Sequence, residues 1–367
     1  MSDSVVRQHR LAASKQKVGR LCLVVFCTIV VFVRMYFAES PFSLDYDTYI
    51  SIIVVLEDLP FSNIVGSHLI FPYIVTNSMV PLEFGFALLV RAVSQLGFAP
   101  ETTYAIIAST SVGLRVFAMS LARVPVLWIF WLNIYSITLF EANAVRLGVA
   151  VSVLLFGLIK LHAKQRTVGY LAMLISLTFH LQTIFFVVPF VFFYLLSDWI
   201  SKSKWNFGSA LIATSVAVSF GSSFLSILPN EKLAVYVGQG ASSSAGISVT
   251  SVLSALLLGS VALTLRKSRS PDADPRFFLT ILLSCVPSLV LLILLTNIAV
   301  VGDRAWQLAI IVFSVFFFSQ WGSLKSKRVP LYLLFATTLV MQTNVTIRYP
   351  LSNFFSPPLP LVEFETK

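Results

Sequence analysis

Apolar stretches of about 20 residues recur along almost the whole of this chain, and a helix needs about that length to cross the hydrocarbon of a bilayer. Lipid offers no water to backbone amides, so each stretch must satisfy its own N–H and C=O groups as a helix. Of 367 residues, 57% are hydrophobic and 11% charged, against about 25% charged in soluble domains. One soluble core could not hide so much apolar surface. The fold class expected is an all-α polytopic membrane protein.

The positive charges set an expected topology. A net charge of +10 is spread over short basic clusters between apolar stretches, which is a membrane-sidedness signal and not a nucleic-acid footprint. The clusters are Arg7 to Arg20, Lys160/Lys164/Arg166, Lys202/Lys204, Arg266/Lys267/Arg269/Arg276 and Lys325/Lys327/Arg328. Placing them in the cytoplasm predicts spans at 145–160, 167–180, 183–198, 207–228, 248–265, 277–297, 305–321 and 330–346. Residues 21–37 follow a basic stretch without a small-residue cleavage site, and Arg34 interrupts their end, so they read as a retained first helix.

Between that helix and Arg146 lie three apolar stretches, 81–98, 102–121 and 124–140, whereas the charges require an even number of crossings. In 81–98, Glu83, Arg91 and Ser94 share one helical face and Leu82, Phe86, Leu89 and Val93 the opposite one. This is the pattern of an interfacial or re-entrant helix. The count is then about eleven spans plus this periplasmic element; a further crossing near 63–78 gives the same parity. The expected organisation is a cytoplasmic basic tail over 1–20 and one transmembrane domain over 21–346. Periplasmic loops fall at 39–80 and 229–246, with a periplasmic tail over 347–367.

Two groups of polar residues stand out. From Met35 to Val90 there is no Lys or Arg, yet six of the sixteen acids lie there. Within this stretch Asp45, Tyr46, Asp47 and Tyr49 combine carboxylates, which accept sugar hydroxyl hydrogens, with rings that stack on pyranose faces. An outer loop depleted of cations accounts equally for Glu39, Glu57 and Asp58. The second group is Arg146, Arg304 and Arg348, set near the outer ends of helices against the usual charge bias. Each alone could snorkel to the interface; three on one side suit a shared anion, because a guanidinium grips phosphate oxygens bidentately. Arg146 also stands at a helix start, which attracts anions.

His180 falls in a tight turn predicted over 178–183, and His68 is a weaker case of the same kind; His9 and His162 read as solvated in basic runs. Cys22, Cys27 and Cys285 have no CxxC spacing, and the chain contains no HExxH, P-loop or GxGxxG opening a helix. No metal site and no cofactor is expected.

The ordered set of Asp45–Tyr49, Leu82-Glu83-Phe84-Gly85-Phe86, Val145-Arg146-Leu147-Gly148-Val149-Ala150, Phe179-His180 and a late arginine resembles the EpsG-like branch of Wzy-type polysaccharide polymerases. The likeness covers residues 45 to about 190. The family reads Arg-Gln-Gly at the helix start, and here Leu147 replaces the Gln. The resemblance implies a bacterial inner-membrane enzyme, N-terminus cytoplasmic, that joins undecaprenyl-pyrophosphate-linked oligosaccharide repeats into O-antigen, capsule or exopolysaccharide at the periplasmic face. Its partners would be those lipid-linked glycans, membrane lipid, a flippase and a chain-length regulator. Arg146 and Arg304, with Arg348, would bind pyrophosphate; Glu83, Asp45 and His180, in that order, are the candidates for general base; Tyr46, Asp47 and Tyr49 would bind sugar. A GT-C-like glycosyltransferase, with Asp45/Asp47 as its carboxylate pair, and a lipid-linked oligosaccharide flippase are the alternative readings.

Overall fold

The structure is a computed structural model that describes residues 3–36, 46–60, 64, 70–73, 78–137, 140, 144–203, 206, 208–210, 212–216, 249–267, 275–294, 299–320 and 328–348. Asp45 and His68 lie outside the described residues, as do most of the span expected over 207–228 and all of the loop over 229–246.

In chain order the helices are α1 (Asp3–Tyr36), α2 (Tyr46–Asp58), α3 (Phe84–Ser94), α4 (Pro100–Leu121), α5 (Val126–Ser136), α6 (Val145–His162), α7 (Arg166–Phe179), α8 (Ile184–Leu195), α9 (Ser197–Lys202), α10 (Val249–Lys267), α11 (Pro275–Leu294), α12 (Ala299–Ser319) and α13 (Arg328–Arg348). Among the described residues, five segments are long and apolar enough to cross a membrane: Val18–Tyr36, Pro100–Leu121, Val145–His162, Arg276–Ile293 and Gly302–Ser319. Shorter apolar helices accompany them. The one departure from all-α among the described residues is a hairpin of β1 (Ile70–Tyr73) and β2 (Ser78–Pro81), antiparallel with Ile70 opposite Pro81.

Helices α4 and α6 form the centre, where apolar and small residues are buried on nearly every side. In contrast, over Val18–Tyr36 helix α1 buries the stripe Cys27, Val31 and Met35 against α4 and leaves Phe26, Ile29 and Val33 exposed. Between α6 and α7 two glycines allow close approach. A Cβ on Gly157 would stand 2.9 Å from the Gly169 carbonyl oxygen, and one on Gly169 would meet Leu161 Cβ at 2.9 Å. Small residues at such crossings are the usual means of helix association in lipid.

Two expectations change. Tyr46 to Asp58, expected as part of an outer loop, is a helix, because Tyr49, Ile52, Ile53 and Leu56 recur at helical spacing and are all buried. The helix expected over 81–98 covers only Phe84–Ser94, about 16 Å against a hydrocarbon core of about 30 Å. Its polar stripe does not face water. Ser94 is buried, Arg91 donates to the Glu57 carbonyl at the end of α2, and Glu83 turns inward to the site below. Charged groups in apolar surroundings must find partners inside the protein.

Candidate active site

Three helix ends converge. Glu83 immediately precedes α3, Arg146 is the second residue of α6, and His180 caps the C-terminal end of α7. Glu83 sits at the N-cap position without capping its own helix. Its carboxylate instead bridges the other two: Oε2 accepts from an Arg146 guanidinium nitrogen at 2.5 Å, and Oε1 lies 3.0 Å from His180 Nδ1. Side-chain exposure is 14% for Glu83, 14% for Arg146 and 7% for His180, so the cluster is largely shielded from solvent and its Coulomb terms are strong.

Local sequence explains the convergence. A Cβ on Gly85 would stand 2.2 Å from Thr178 Oγ1 and 2.9 Å from the Thr178 carbonyl carbon. Only glycine lets the first turn of α3 lie so close to the last turn of α7, and that contact sets Glu83 beside His180. The turn predicted over 178–183 is present: α7 stops at Phe179, His180 is extended, and Leu181–Thr183 form one 3-10 turn leading into α8. Thr183 fixes that turn, since its hydroxyl donates to the His180 carbonyl at 2.8 Å. His180 Nε2 lies 3.1 Å from Gln182 Oε1.

Arg146 is held from a second side. Its Nε donates to the Tyr49 hydroxyl at 3.3 Å, and the guanidinium lies 5.8 Å from the Tyr49 ring centroid. Tyr49 packs in turn on Phe86 and Tyr104, with centroids 5.8 and 6.0 Å apart, and Tyr46 meets Tyr104 edge-on at 5.1 Å. Tyr49 is 4% exposed, so it has no open face for a pyranose; its place is to orient Arg146. Tyr46 is half-buried and Asp47 exposed, and these two keep the surface a sugar contact requires.

The electrostatics follow from this geometry. Burial alone would raise the Glu83 carboxyl, but the Arg146 charge and the His180 hydrogen bond outweigh it and hold Glu83 well below the usual carboxylate range. For His180, burial comes first and lowers the imidazole below its ordinary value; Glu83 opposes this, while the charges of Arg146 and Arg304 add to it. At neutral pH the pair is therefore a carboxylate accepting from Nδ1–H of a neutral ring. Arg304, in the first turns of α12, is close enough to act on His180, and α12 packs on the Leu181–Thr183 turn. Arg348 is the last residue of α13 and Asp45 is not described.

Of the residues that sequence singled out far apart, Tyr49, Glu83, Arg146 and His180 meet at one end of the bundle. The opposite end carries basic positions: α6 runs about 24 Å from Arg146 to His162. There the His162 ring packs on Phe277 at 4.8 Å, and Arg276 pairs with Asp198. His162 is exposed, as expected, and its ring also touches Phe277 between α6 and α11. Three residues that sequence reasoning passed over, Gln182, Tyr104 and Arg115, matter as well, as does Gly85, which it named only within a motif. Gln182, Tyr104 and Gly85 shape the cluster, and Arg115 is fully buried in α4, its Nε 3.4 Å from Asn133 Oδ1. Arg115 was legible as an arginine inside an apolar run; Gln182 and Tyr104 carried no signal without the fold.

Residues 15–357 match the model of the EpsG family. The chain belongs to the EpsG family. The match encloses the whole cluster, from Tyr46 to Arg304, and the helices that carry it. EpsG-family membership and the apolar helices together make this a multi-pass membrane protein of the polysaccharide-polymerase type, an activity of the glycosyl-transfer class. No curated protein and no solved structure matches the chain.

Proposed function

We propose that this EpsG-family protein polymerises undecaprenyl-pyrophosphate-linked oligosaccharide repeats into a surface polysaccharide at the periplasmic face of a bacterial inner membrane. The observation that carries the reading is the Glu83–Arg146–His180 cluster with Arg304 beside it: oriented cations and a proton-accepting group in a shielded site at one end of the helices. The basic clusters at the opposite end support an outward-facing site, since cytoplasmic loops are enriched in Lys and Arg.

The chemistry moves a growing glycan from its lipid diphosphate to a hydroxyl of the next lipid-linked repeat. Charge develops on the departing diphosphate, and preorganised guanidinium groups in a partly dry site stabilise it. Arg146 and Arg304 take this role, with Arg348 a further candidate at the end of α13. Because diphosphate is a good leaving group, holding both glycans in register contributes as much as base strength. Tyr46 and Asp47 offer the sugar contact, Tyr49 holds Arg146, and the exposed apolar faces of the helices meet the polyprenyl chains.

The test uses purified protein in lipid nanodiscs supplied with undecaprenyl-diphosphate-linked repeats. The reading expects a ladder of products that Arg146→Ala and Arg304→Ala abolish. Addition of one sugar from a polyprenyl-phosphate donor, without a ladder, would establish the GT-C-like alternative instead.

A further inference from the structure

Within the polymerase reading, on which this step rests, we infer that His180 Nε2 is the group that takes the acceptor hydroxyl proton, that Glu83 is a positioning residue, and that the Gln182 side chain marks the acceptor-hydroxyl subsite. Geometry separates the roles. Both Glu83 oxygens are engaged, Oε1 by His180 and Oε2 by Arg146, and the ion pair with Arg146 leaves that carboxylate a weak base for an acceptor hydroxyl. His180 presents its ring differently. Nδ1 faces Glu83, which fixes the tautomer, and Nε2 faces a partly exposed side-chain amide from the adjoining 3-10 turn. A glutamine two residues along, on a turn pinned by the Thr183 hydroxyl, is the neighbour an incoming hydroxyl can displace with least disturbance.

The amide also suits both protonation states of the ring. With the proton on Nδ1 of neutral His180, Nε2 accepts from the Gln182 NH2 when the amide is turned over; in the orientation found here, with Oε1 3.1 Å from Nε2, the amide accepts from a protonated Nε2. The step then balances. The acceptor O–H gives its proton to Nε2, the oxygen bonds to the anomeric carbon, and the bond from that carbon to the diphosphate oxygen breaks with its electron pair. The imidazolium is flanked by Glu83 and faces the departing diphosphate, to which it returns the proton. Charged groups around the ring are Glu83, Arg146 and Arg304; Asp303, beside Arg304, acts on Tyr135. A diphosphate at the two arginines and a hydroxyl at Nε2 would thus approach from different helices, donor from α6 and α12, acceptor from the turn after α7.

The experiment uses the full chain in nanodiscs and measures three things for each variant: binding of undecaprenyl diphosphate, the polymerisation rate, and its pH profile. His180→Ala should keep lipid diphosphate binding within about threefold and lose turnover by at least about 100-fold, the scale of a lost general base. Gln182→Ala should keep diphosphate binding and raise the acceptor KM. Gln182→Glu sets a carboxylate on Nε2, favours the imidazolium, and should move the acid limb of the rate profile up by about one pH unit. An unmoved limb in Gln182→Glu, or a His180→Ala protein that binds diphosphate and polymerises within about tenfold of wild type, overturns the inference. Wild-type protein tests the underlying reading separately: if it forms no ladder from undecaprenyl-diphosphate-linked repeats, the polymerase reading itself is removed, whereas normal binding and laddering by Arg146→Ala would remove only the diphosphate role of Arg146, whatever His180 does. A His180→Ala protein that no longer binds diphosphate would overturn the inference as well, because the separation of donor and acceptor roles would be lost.

Discussion

Replacing Glu83 by glutamine removes one charge from a shielded pair and keeps the side-chain shape. With an N···O distance of 2.5 Å, the charge centres of Glu83 and Arg146 stand about 4 Å apart, worth about 4 kcal/mol at an effective dielectric constant near 20. The glutamine still hydrogen-bonds, and the desolvation of the carboxylate is no longer incurred. Breaking one side of a buried pair nonetheless strands the other charge, a loss of about 3–5 kcal/mol. We expect Glu83→Gln to cost about 3 kcal/mol, a fall of about 4 °C in Tm for a chain of 367 residues. Thermal unfolding in detergent, followed by tryptophan fluorescence, measures it. Glu83→Gln combined with Arg146→Gln should be milder than the sum of the singles by at least about 1.5 kcal/mol, because the stranded charge is gone. The pH dependence has a definite sign. Glu83 is held below its ordinary value of 4.5, so its contribution is complete above that pH and disappears on acidification through the lower folded value. His180 is likewise held below 6.5, so stability falls as pH drops from there and the unfolded chain takes up the proton first. Glu83→Gln should remove the lower of these two limbs and retain the upper. A Glu83→Gln cost under about 1 kcal/mol, with strictly additive singles, would refute the ion-pair account.

Gly85→Ala should cost about 1–3 kcal/mol through overpacking and abolish laddering, because the new Cβ drives α3 off Thr178 and Glu83 off His180; trimming Thr178 to Ala should rescue only part, since a backbone carbon also lies within 2.9 Å. Tyr49→Phe keeps the buried ring and removes one acceptor on a charged donor, so we expect a loss of about 1.5–3 kcal/mol at most, read as weaker binding of undecaprenyl diphosphate with the fold intact by circular dichroism. Single cysteines in a cysteine-free background should divide by side: Leu181→Cys, at an exposed position beside the cluster, should react with a membrane-impermeant maleimide in intact spheroplasts, and Lys164→Cys, exposed at the opposite end of α6 and α7, only after the membrane is opened. The reverse labelling would turn the site toward the cytosol and end the polymerase reading.

The helices were legible wherever an apolar run was bounded by charge or by a turn. Span 145–160 and helix α6 (Val145–His162) nearly coincide, since Lys160 and Lys164 close the run and Asn143 precedes it. The prediction that His180 sits in a tight turn was equally accessible, because two apolar runs meet there with no loop to spare. The role of Tyr49 was not accessible. Its neighbours Asp45 and Asp47 made the segment read as an open loop, and only the recurrence of Ile52, Ile53 and Leu56 on one face reveals a buried helix. The Glu83–Arg146 contact joins residues 63 apart and Glu83–His180 residues 97 apart. No local periodicity encodes such pairings; they follow from close approach of α3 to α7, which a single glycine permits.

An anion at the centre of a diphosphate site needs its own account. Glu83 neutralises Arg146, and with His180 neutral the three-residue cluster has no net charge; without Glu83 it would carry one positive charge. Ground-state attraction for a lipid diphosphate would then rise on removing Glu83, so simple charge counting argues against the residue. The carboxylate must act on something other than affinity. It fixes the Arg146 guanidinium against Tyr49 and sets the His180 tautomer, both of which matter only when charge and proton move. Interactions that serve the transition state raise turnover, whereas those made equally with the bound ground state do not. Glu83→Gln should therefore bind undecaprenyl diphosphate as tightly as wild type or up to about tenfold more tightly, while polymerising at least about 100-fold more slowly. Isothermal binding and single-turnover rates on the same preparation separate the two quantities. If affinity and rate fell together in this variant, Glu83 would be a structural strut for the arginine alone, and its part in orienting the proton acceptor would have to be given up.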